Sequence, residues 1–237
     1  MSTVLNETQR HEAEDAFPAG LQFTAYAAFS EGDVDRLQPA VRSGAAGEAL
    51  EALHADGVAV RGTYDVSGYR ADADLLVWLA GPSADVVQDA LTAFRRTALG
   101  RRLRPFWTAI GVHREAEFTK SHVPAFYAGE PARRYVCVYP YVRTTEWYLL
   151  APEARAEMLR EHGVMGREYP DVRANTTSAF ALGDYEWLLA FEADDLVRIV
   201  DLMRHLRAAK AREYTKHELP FITGVRKPLG SILESFA

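Results

Sequence analysis

The hydrophobic patterns in this chain run through the same cycle twice, and that duplication limits its folds more than any single motif. Leu21–Ser30 (LQFTAYAAFS) alternates as a half-buried strand does, and Arg134–Arg143 (RYVCVYPYVR) alternates likewise. Asp74–Ala80 (DLLVWLA) is an apolar strand. Gly81-Pro82-Ser83-Ala84-Asp85 then starts a helix that runs through Val86, Val87, Ala90, Leu91 and Phe94. The counterpart is Asp184–Phe191 (DYEWLLAF), then Ala193-Asp194-Asp195 and a helix through Leu196, Ile199, Val200, Leu202, Met203 and Leu206. Each half closes on a Pro-Phe strand, Pro105–Gly111 and Pro220–Gly224. Between the first and middle strands lie a helical segment (about 34–55, and 152–161) and a further strand (about 58–66, and 173–182).

The order is strand-helix-strand-strand-helix-strand, twice, which is the split βαβ plan. A four-stranded sheet with helices on one face leaves the other face bare, and two such sheets in tandem can cover each other. The expected class is therefore α+β: two tandem ferredoxin-like (βαββαβ) repeats forming a dimeric α/β-barrel-like subunit. Boundaries fall at a mobile arm (1–19), a first repeat (20–118), a linker (119–132) punctuated by Pro124, Gly129 and Pro131, and a second repeat (133–237).

Composition narrows the function. A hydrophobic share of 48% with 25% charged residues is ordinary for a soluble domain, and no run approaches the ~20 apolar residues of a membrane span. The first residues are polar and acidic (Glu7, Glu12, Glu14, Asp15) and lack the basic start and apolar core of a secretion signal. The single Cys137 cannot form an internal disulfide, which fits a reducing cytoplasm. A net charge of −6 argues against general nucleic-acid binding, while a local basic pocket for an anionic small molecule stays open. The sequence has no HxxxH, CxxC, GxSxG, P-loop or GxGxxG signature, so zinc hydrolase, serine hydrolase, kinase and dehydrogenase readings lose support.

A few residues could carry chemistry. His162 follows a short helix delimited by Pro152 and Gly163. It either caps that helix against its negative end or, as a neutral imidazole, ligates a metal. Tyr139, Tyr141 and Arg143 share one strand face and Val142 points away, as on an amphipathic surface or in a barrel interior. A tyrosine there can hydrogen-bond a carboxylate or give up an electron and a proton, and arginine clamps carboxylates. Trp147 reads first as packing. His122, in the linker, is either solvated or an acid–base group over a pocket. An oxidisable phenol, a cation for carboxylates and a neutral nitrogen ligand together suit a haem-type site.

Several signatures occur in order between about residues 134 and 227: Tyr139-Pro140 with Trp147-Tyr148, Arg160-Glu161-His162-Gly163 with Gly166-Arg167-Glu168-Tyr169, Asp184-Tyr185-Glu186-Trp187, Met203-Arg204, and Phe221-Ile222-Thr223-Gly224-Val225-Arg226. As a set they resemble the coproheme decarboxylases, the hydrogen-peroxide-dependent haem synthases of the chlorite dismutase superfamily, in their actinobacterial form. The first half matches only in layout.

The resemblance implies a cytoplasmic homopentamer with the porphyrin held in the second repeat, no nucleic-acid partner, no membrane span, and transient contact with coproporphyrin ferrochelatase. Iron coproporphyrin III would be the substrate and its own redox cofactor; with two hydrogen peroxides it loses two propionate carboxyls as carbon dioxide and becomes haem b. Carried over by position, His162 is the proximal iron ligand, Tyr139 is oxidised to a radical, Arg143 and Arg204 bind propionates, Trp147 lies near the tyrosine, and His122 is the distal base for peroxide. One departure is that firmicute members carry a distal glutamine where this chain has Arg173-Ala174-Asn175. The distal arginine of chlorite dismutases has no clear counterpart either. A chlorite-degrading or peroxidase-like haem enzyme, or a non-enzymatic haem-binding module on the same fold, are the rival readings.

Overall fold

A computed structural model of the chain describes residues 17–34, 39–54, 57–115, 117 and 123–236. The first repeat comprises β1 (Phe23–Ser30), α1 (Pro39–Leu53), β2 (Ala59–Asp65), β3 (Leu75–Gly81), α2 (Ala84–Arg96) and β4 (Arg104–Val112). The second comprises β5 (Tyr135–Arg143), α3 (Thr145–Leu149), α4 (Pro152–Gly166), β6 (Arg173–Ser178), β7 (Trp187–Ala193) and α5 (Leu196–Leu206). A 3-10 turn (Lys210–Tyr214), β8 (Thr215–His217), β9 (Ile222–Arg226) and α6 (Leu229–Glu234) complete it.

The strand order is β7-β6-β4-β1-β3-β2-β9-β5-β8, with β7 also paired to β5. Setting the short β8 aside, the other strands therefore pair in a closed circuit. Each repeat contributes a four-stranded ferredoxin-like sheet, β2-β3-β1-β4 and β6-β7-β5-β9. The seams between them are short: Tyr64↔Arg226 with Asp65↔Val225 on one side, Val112↔Ser178 on the other.

Strand alternation sorts the side chains into layers. On β1, Tyr26 and Ala28 point inward with Tyr64, Leu76, Trp78, Val136, Val138, Leu188, Ala190 and Ile222, which form the core shared by the two sheets. The alternate residues Ala25, Ala27 and Phe29 point outward under the first repeat's helices. There α2 buries Val87, Ala90 and Phe94, a stripe at helical spacing, with Asp85 in its first turn and Arg95 and Arg96 in its last, as the helix dipole favours. The final helix α6 crosses back to this layer and buries Leu229, Ile232 and Leu233, and Phe236 just beyond it. Arg42 on α1 donates to the carbonyls of Leu233 (3.1 Å) and Phe236 (2.9 Å), closing the C-terminal end of α6.

Inside the ring sits a fully buried ion pair. Arg61 on β2 donates from Nε and Nη2 to Glu192 on β7, the shortest contact being 2.6 Å. Its Nη1 donates to the Glu130 carbonyl at 2.8 Å, and Phe17 and Trp78 cover the guanidinium at 4.9 and 5.0 Å. Asn175 donates to Glu192 (3.1 Å) and accepts from the Phe126 amide (2.9 Å), which binds the end of the linker to the same network.

The expected elements form, with corrections at their ends. The strand expected from 173 to 182 stops at Ser178, because Ala179 donates to the Glu186 carbonyl (2.7 Å) and Ala181 takes a φ of 62° to turn the hairpin. Its partner consequently begins at Trp187, not Asp184, and runs to Ala193. The helix expected to stop at Gly163 continues to Gly166. A mid-helix glycine costs only ~1 kcal/mol relative to alanine, and the flanking residues outweigh that. α3, the 3-10 turn, β8 and α6 were not foreseen. Residues 1–16, the bulk of the expected arm, lie outside the described residues.

Removing one partner of a buried ion pair strands the other, at a typical cost of about 3–5 kcal/mol. Glu192→Ala is expected to lose that much in urea unfolding, whereas replacing Arg61 and Glu192 together with apolar residues should lose much less than the sum of the two single variants. Additive losses would show that the two side chains act independently.

Candidate functional site

The outward face of β5 carries Tyr135, Cys137, Tyr139 and Tyr141, which pack with Phe191, Ile199, Leu202, Met203, Leu206 and Phe221 beneath α5. The tyrosine face lies neither on an open surface nor in the barrel interior. It lies between the barrel wall and the second repeat's helices. Tyr139 is 5% exposed. Its ring stacks on Phe221 at 4.5 Å, and its hydroxyl faces the Met203 sulfur at 3.6 Å. Burial holds this phenol protonated far above its usual range, a trend reinforced by Cys137 and Glu218 and opposed by Arg207. Glu218 and Arg207 are thus electrostatic neighbours of the phenol. Cys137, beside it on the strand, is pushed up to about 11 by burial, partly offset by a hydrogen bond with Thr223.

The two long helices of the second repeat contribute unequally to this layer. In the first repeat α1 buries Ala45, Ala46, Ala49 and Leu53, packing mainly against α2 and α6. The corresponding α4 buries nothing. Its inward residues Arg155, Met158, Leu159, His162 and Met165 are half-buried, and the helix leans on α5 and the 3-10 turn more than on any strand. His162 is half-buried on this helix, which packs against α5 and the 3-10 turn.

The 3-10 turn joins the two parts. The Lys210 amide donates to Glu161, next to His162, at 3.0 Å. The Ala211 carbonyl accepts from Arg143 Nη1 at 2.7 Å. Arg143 is sandwiched by Tyr141 (4.7 Å) and Trp147 (4.0 Å), and its amide donates to Glu186 at 2.7 Å. Burial pulls this guanidinium below its usual range, while Tyr141, Tyr148 and Glu186 oppose the shift. Trp147, which is buried, also lies 5.6 Å from Tyr214 of the turn. The Tyr141 hydroxyl shares a hydrogen bond with Thr215 at 2.7 Å.

Two cations, Arg207 near the Tyr139 phenol and Arg212 near that of Tyr141, had no signal in the sequence. Arg207 and Arg212 both pair with Glu218, Arg207 at 2.7 Å and Arg212 closer still. They come from the end of α5 and from the 3-10 turn, so no periodic pattern links them. Arg204, by contrast, is exposed in the last turn of α5. His122 lies outside the described residues.

Comparison with known sequences places this arrangement. The sequence model of the family described as chlorite dismutase matches residues 42–227. The chain belongs to the chlorite dismutase family. A coproheme decarboxylase of Mycolicibacterium smegmatis is 59% identical over 171 residues, 72% of this chain and 74% of that protein. The fold recurs in solved chlorite dismutases of Candidatus Nitrospira defluvii. The complex with imidazole aligns with a TM-score of 0.81 at 23% identity, covering 94% of this chain and 98% of that one. An arginine-to-glutamate variant aligns at 0.80 and 23%, covering 92% and 96%.

Within this family fold, the segment Arg173-Ala174-Asn175 is used structurally. Ala174 packs in the Tyr139 layer. Asn175 points the other way, and its amide is taken up by the Ala190 carbonyl, Glu192 and the Phe126 amide. No carboxamide from this strand faces the tyrosine.

A thiol with its pKa raised to about 11 carries almost no thiolate near pH 8. Cys137 should resist a disulfide reagent at pH 8 in the native protein and react as soon as denaturant is added. Rapid labelling of the folded chain would show that this layer opens to solvent.

Proposed function

We propose that this chain converts two propionates of iron coproporphyrin III to vinyl groups with hydrogen peroxide, giving haem b. The observation that carries the reading is the neutral, buried phenol of Tyr139, with Arg207 as its electrostatic neighbour and with Arg143 and Arg212 beside Tyr141 on the same strand face. The kinship with a coproheme decarboxylase supports it.

The residues present fit such a ligand. Among the described residues no group of three or more His, Cys, Asp or Glu side chains could hold a metal ion. A lone imidazole suits an iron whose other ligands come from a macrocycle. The helix that carries it buries none of its residues, and Tyr139, Phe191 and Phe221 give the neighbouring layer the aromatic character that suits a flat ring system. Several guanidiniums in an acidic chain answer a ligand with four carboxylates.

With peroxide, the bound iron porphyrin supplies the oxidising equivalents. Each propionate arm loses two electrons, one proton and carbon dioxide, and one peroxide takes up the electrons with two protons and becomes two waters. His162 would hold the iron of the bound macrocycle. Arg143, fixed by the Ala211 carbonyl and two aromatic faces, orients a carboxylate, and Arg204 reaches one only at the rim. Because burial keeps Tyr139 protonated, its oxidation must shed electron and proton together. Its present neighbour, a thioether sulfur, is a poor proton acceptor. A propionate carboxylate at the phenol would supply that acceptor. His122, whose imidazole can accept a proton, is proposed as the base that deprotonates peroxide. The same reading includes a cytoplasmic homopentamer in transient contact with coproporphyrin ferrochelatase.

Mixing the protein with iron coproporphyrin III and peroxide should yield haem b by mass spectrometry. Tyr139→Phe should bind the macrocycle as the native chain does and form no haem b, and unaltered turnover would overturn the reading. His162→Ala should change the visible spectrum of the bound iron while the carboxylate contacts retain the ligand, and an unchanged spectrum would remove His162 as the iron ligand.

A further inference from the structure

One carboxylate of the site has no part in the chemistry above. Glu218 is mostly buried, with 13% of its side chain exposed, and each of its oxygens faces a different arginine. Oε2 accepts from Arg207 Nη1 at 2.7 Å, and Oε1 lies against Arg212 Nη1. The two arginines are themselves about two-fifths exposed, 41% and 37%. The carboxylate is thus more enclosed than the cations that hold it. It immediately precedes Leu219-Pro220 and Phe221, whose ring stacks on Tyr139. The neighbouring Ala211 carbonyl holds Arg143. Arg207 neighbours Tyr139 and Arg143 and Arg212 neighbour Tyr141, so three guanidiniums line this strand face and an internal carboxylate already holds two of them.

This geometry has a consequence for an anionic ligand. Two arginines brought this close repel each other unless an anion lies between them, and in the protein without ligand that anion is Glu218. A propionate approaching Tyr139 needs the same donors. It must displace Glu218 or share the arginines with it, and either outcome costs binding energy. The cost arises only for a ligand that puts a carboxylate there. Once that arm has become a vinyl group, nothing competes and the Glu218 pairs can re-form.

We infer that Glu218 is a resident substitute for the reacting propionate, one that weakens the hold on the carboxylate-bearing substrate and closes over the arginines once that carboxylate is gone. The inference rests on the proposed reading of the site. It makes Glu218 a specificity-determining residue that acts through Arg207 and Arg212, with no direct role in bond breaking. Glu218 would keep the four-carboxylate substrate from being held so tightly that the arm cannot move once it has reacted.

Binding alone tests this, without peroxide, by optical titration with ferric coproporphyrin III and, separately, with haem b. Glu218→Gln keeps the size and hydrogen-bonding capacity of the side chain and removes its charge. It should tighten ferric coproporphyrin III binding by about tenfold and leave haem b within about twofold. Arg212→Gln should weaken coproporphyrin binding, and the gain from Glu218→Gln should vanish in the double variant, because the two act on one carboxylate. Should the Gln variant fail to fold in a thermal melt, Glu218→Asp, which withdraws the carboxylate by one methylene, should show the same preference in smaller measure. Equal or weaker coproporphyrin binding in the variant, equal shifts for both ligands, or a gain that survives loss of Arg212 would each overturn the inference. A native chain that binds no ferric coproporphyrin III would instead bring down the proposed function.

Discussion

A guanidinium and a carboxylate without access to water must satisfy each other, and the subunit is arranged around one such pair. Arg61 belongs to the first repeat and Glu192 to the second, and both side chains are entirely buried. In a low-dielectric interior an unmatched charge is prohibitive, so β2 and β7 can adopt only the register that brings these groups together. A one-residue slip of β7 would turn Glu192 outward and reverse every side chain on that strand. Since β7 pairs with β5 over its whole length, from Tyr135↔Ala193 to Tyr141↔Trp187, the same constraint sets which face of β5 looks outward. The position of Tyr139 in the helix-side layer depends on an ion pair on the opposite side of the sheet.

The two repeats share a plan and differ in what fills it. Small residues on α1 let that helix pack closely on α2 and α6, with Phe236 in the same layer. On α4 the inward positions carry Arg155, Met158, Leu159, His162 and Met165, and none is buried. Duplication has thus produced two layers in a single chain whose first helices differ, α1 contributing buried residues and α4 none. The 3-10 turn links parts of the second layer, through Glu161 on one side and Arg143 on the other.

Much of this was legible beforehand, for identifiable reasons. Alternation is a local property, so Tyr139, Tyr141 and Arg143 could be placed on one face from their spacing alone, and the doubled element order named the sheet topology. Which side of the barrel wall that face occupies was not legible, because period two gives two faces without saying which is inside. Gly163 misled, since its conformational cost is small against the interactions of a fifteen-residue helix. Arg207, Arg212 and Glu218 sit on a helix end, a 3-10 turn and the residue before Leu219-Pro220, and no periodicity or motif links such positions. His122 was chosen by resemblance and lies outside the described residues.

What the sequence by itself determined is the set of strands and helices, their doubled order, and the chemical types on each face, because these follow from side-chain periodicity and backbone preference over a few residues. What only the tertiary structure decided is which charges meet. The Arg61–Glu192 pair spans 131 positions of the chain, and the Arg42 contacts to the last helix span more than 190. Such pairings exist only once two sheets close on each other, because the energy of a buried charge depends on what surrounds it in space and hardly at all on its neighbours in sequence.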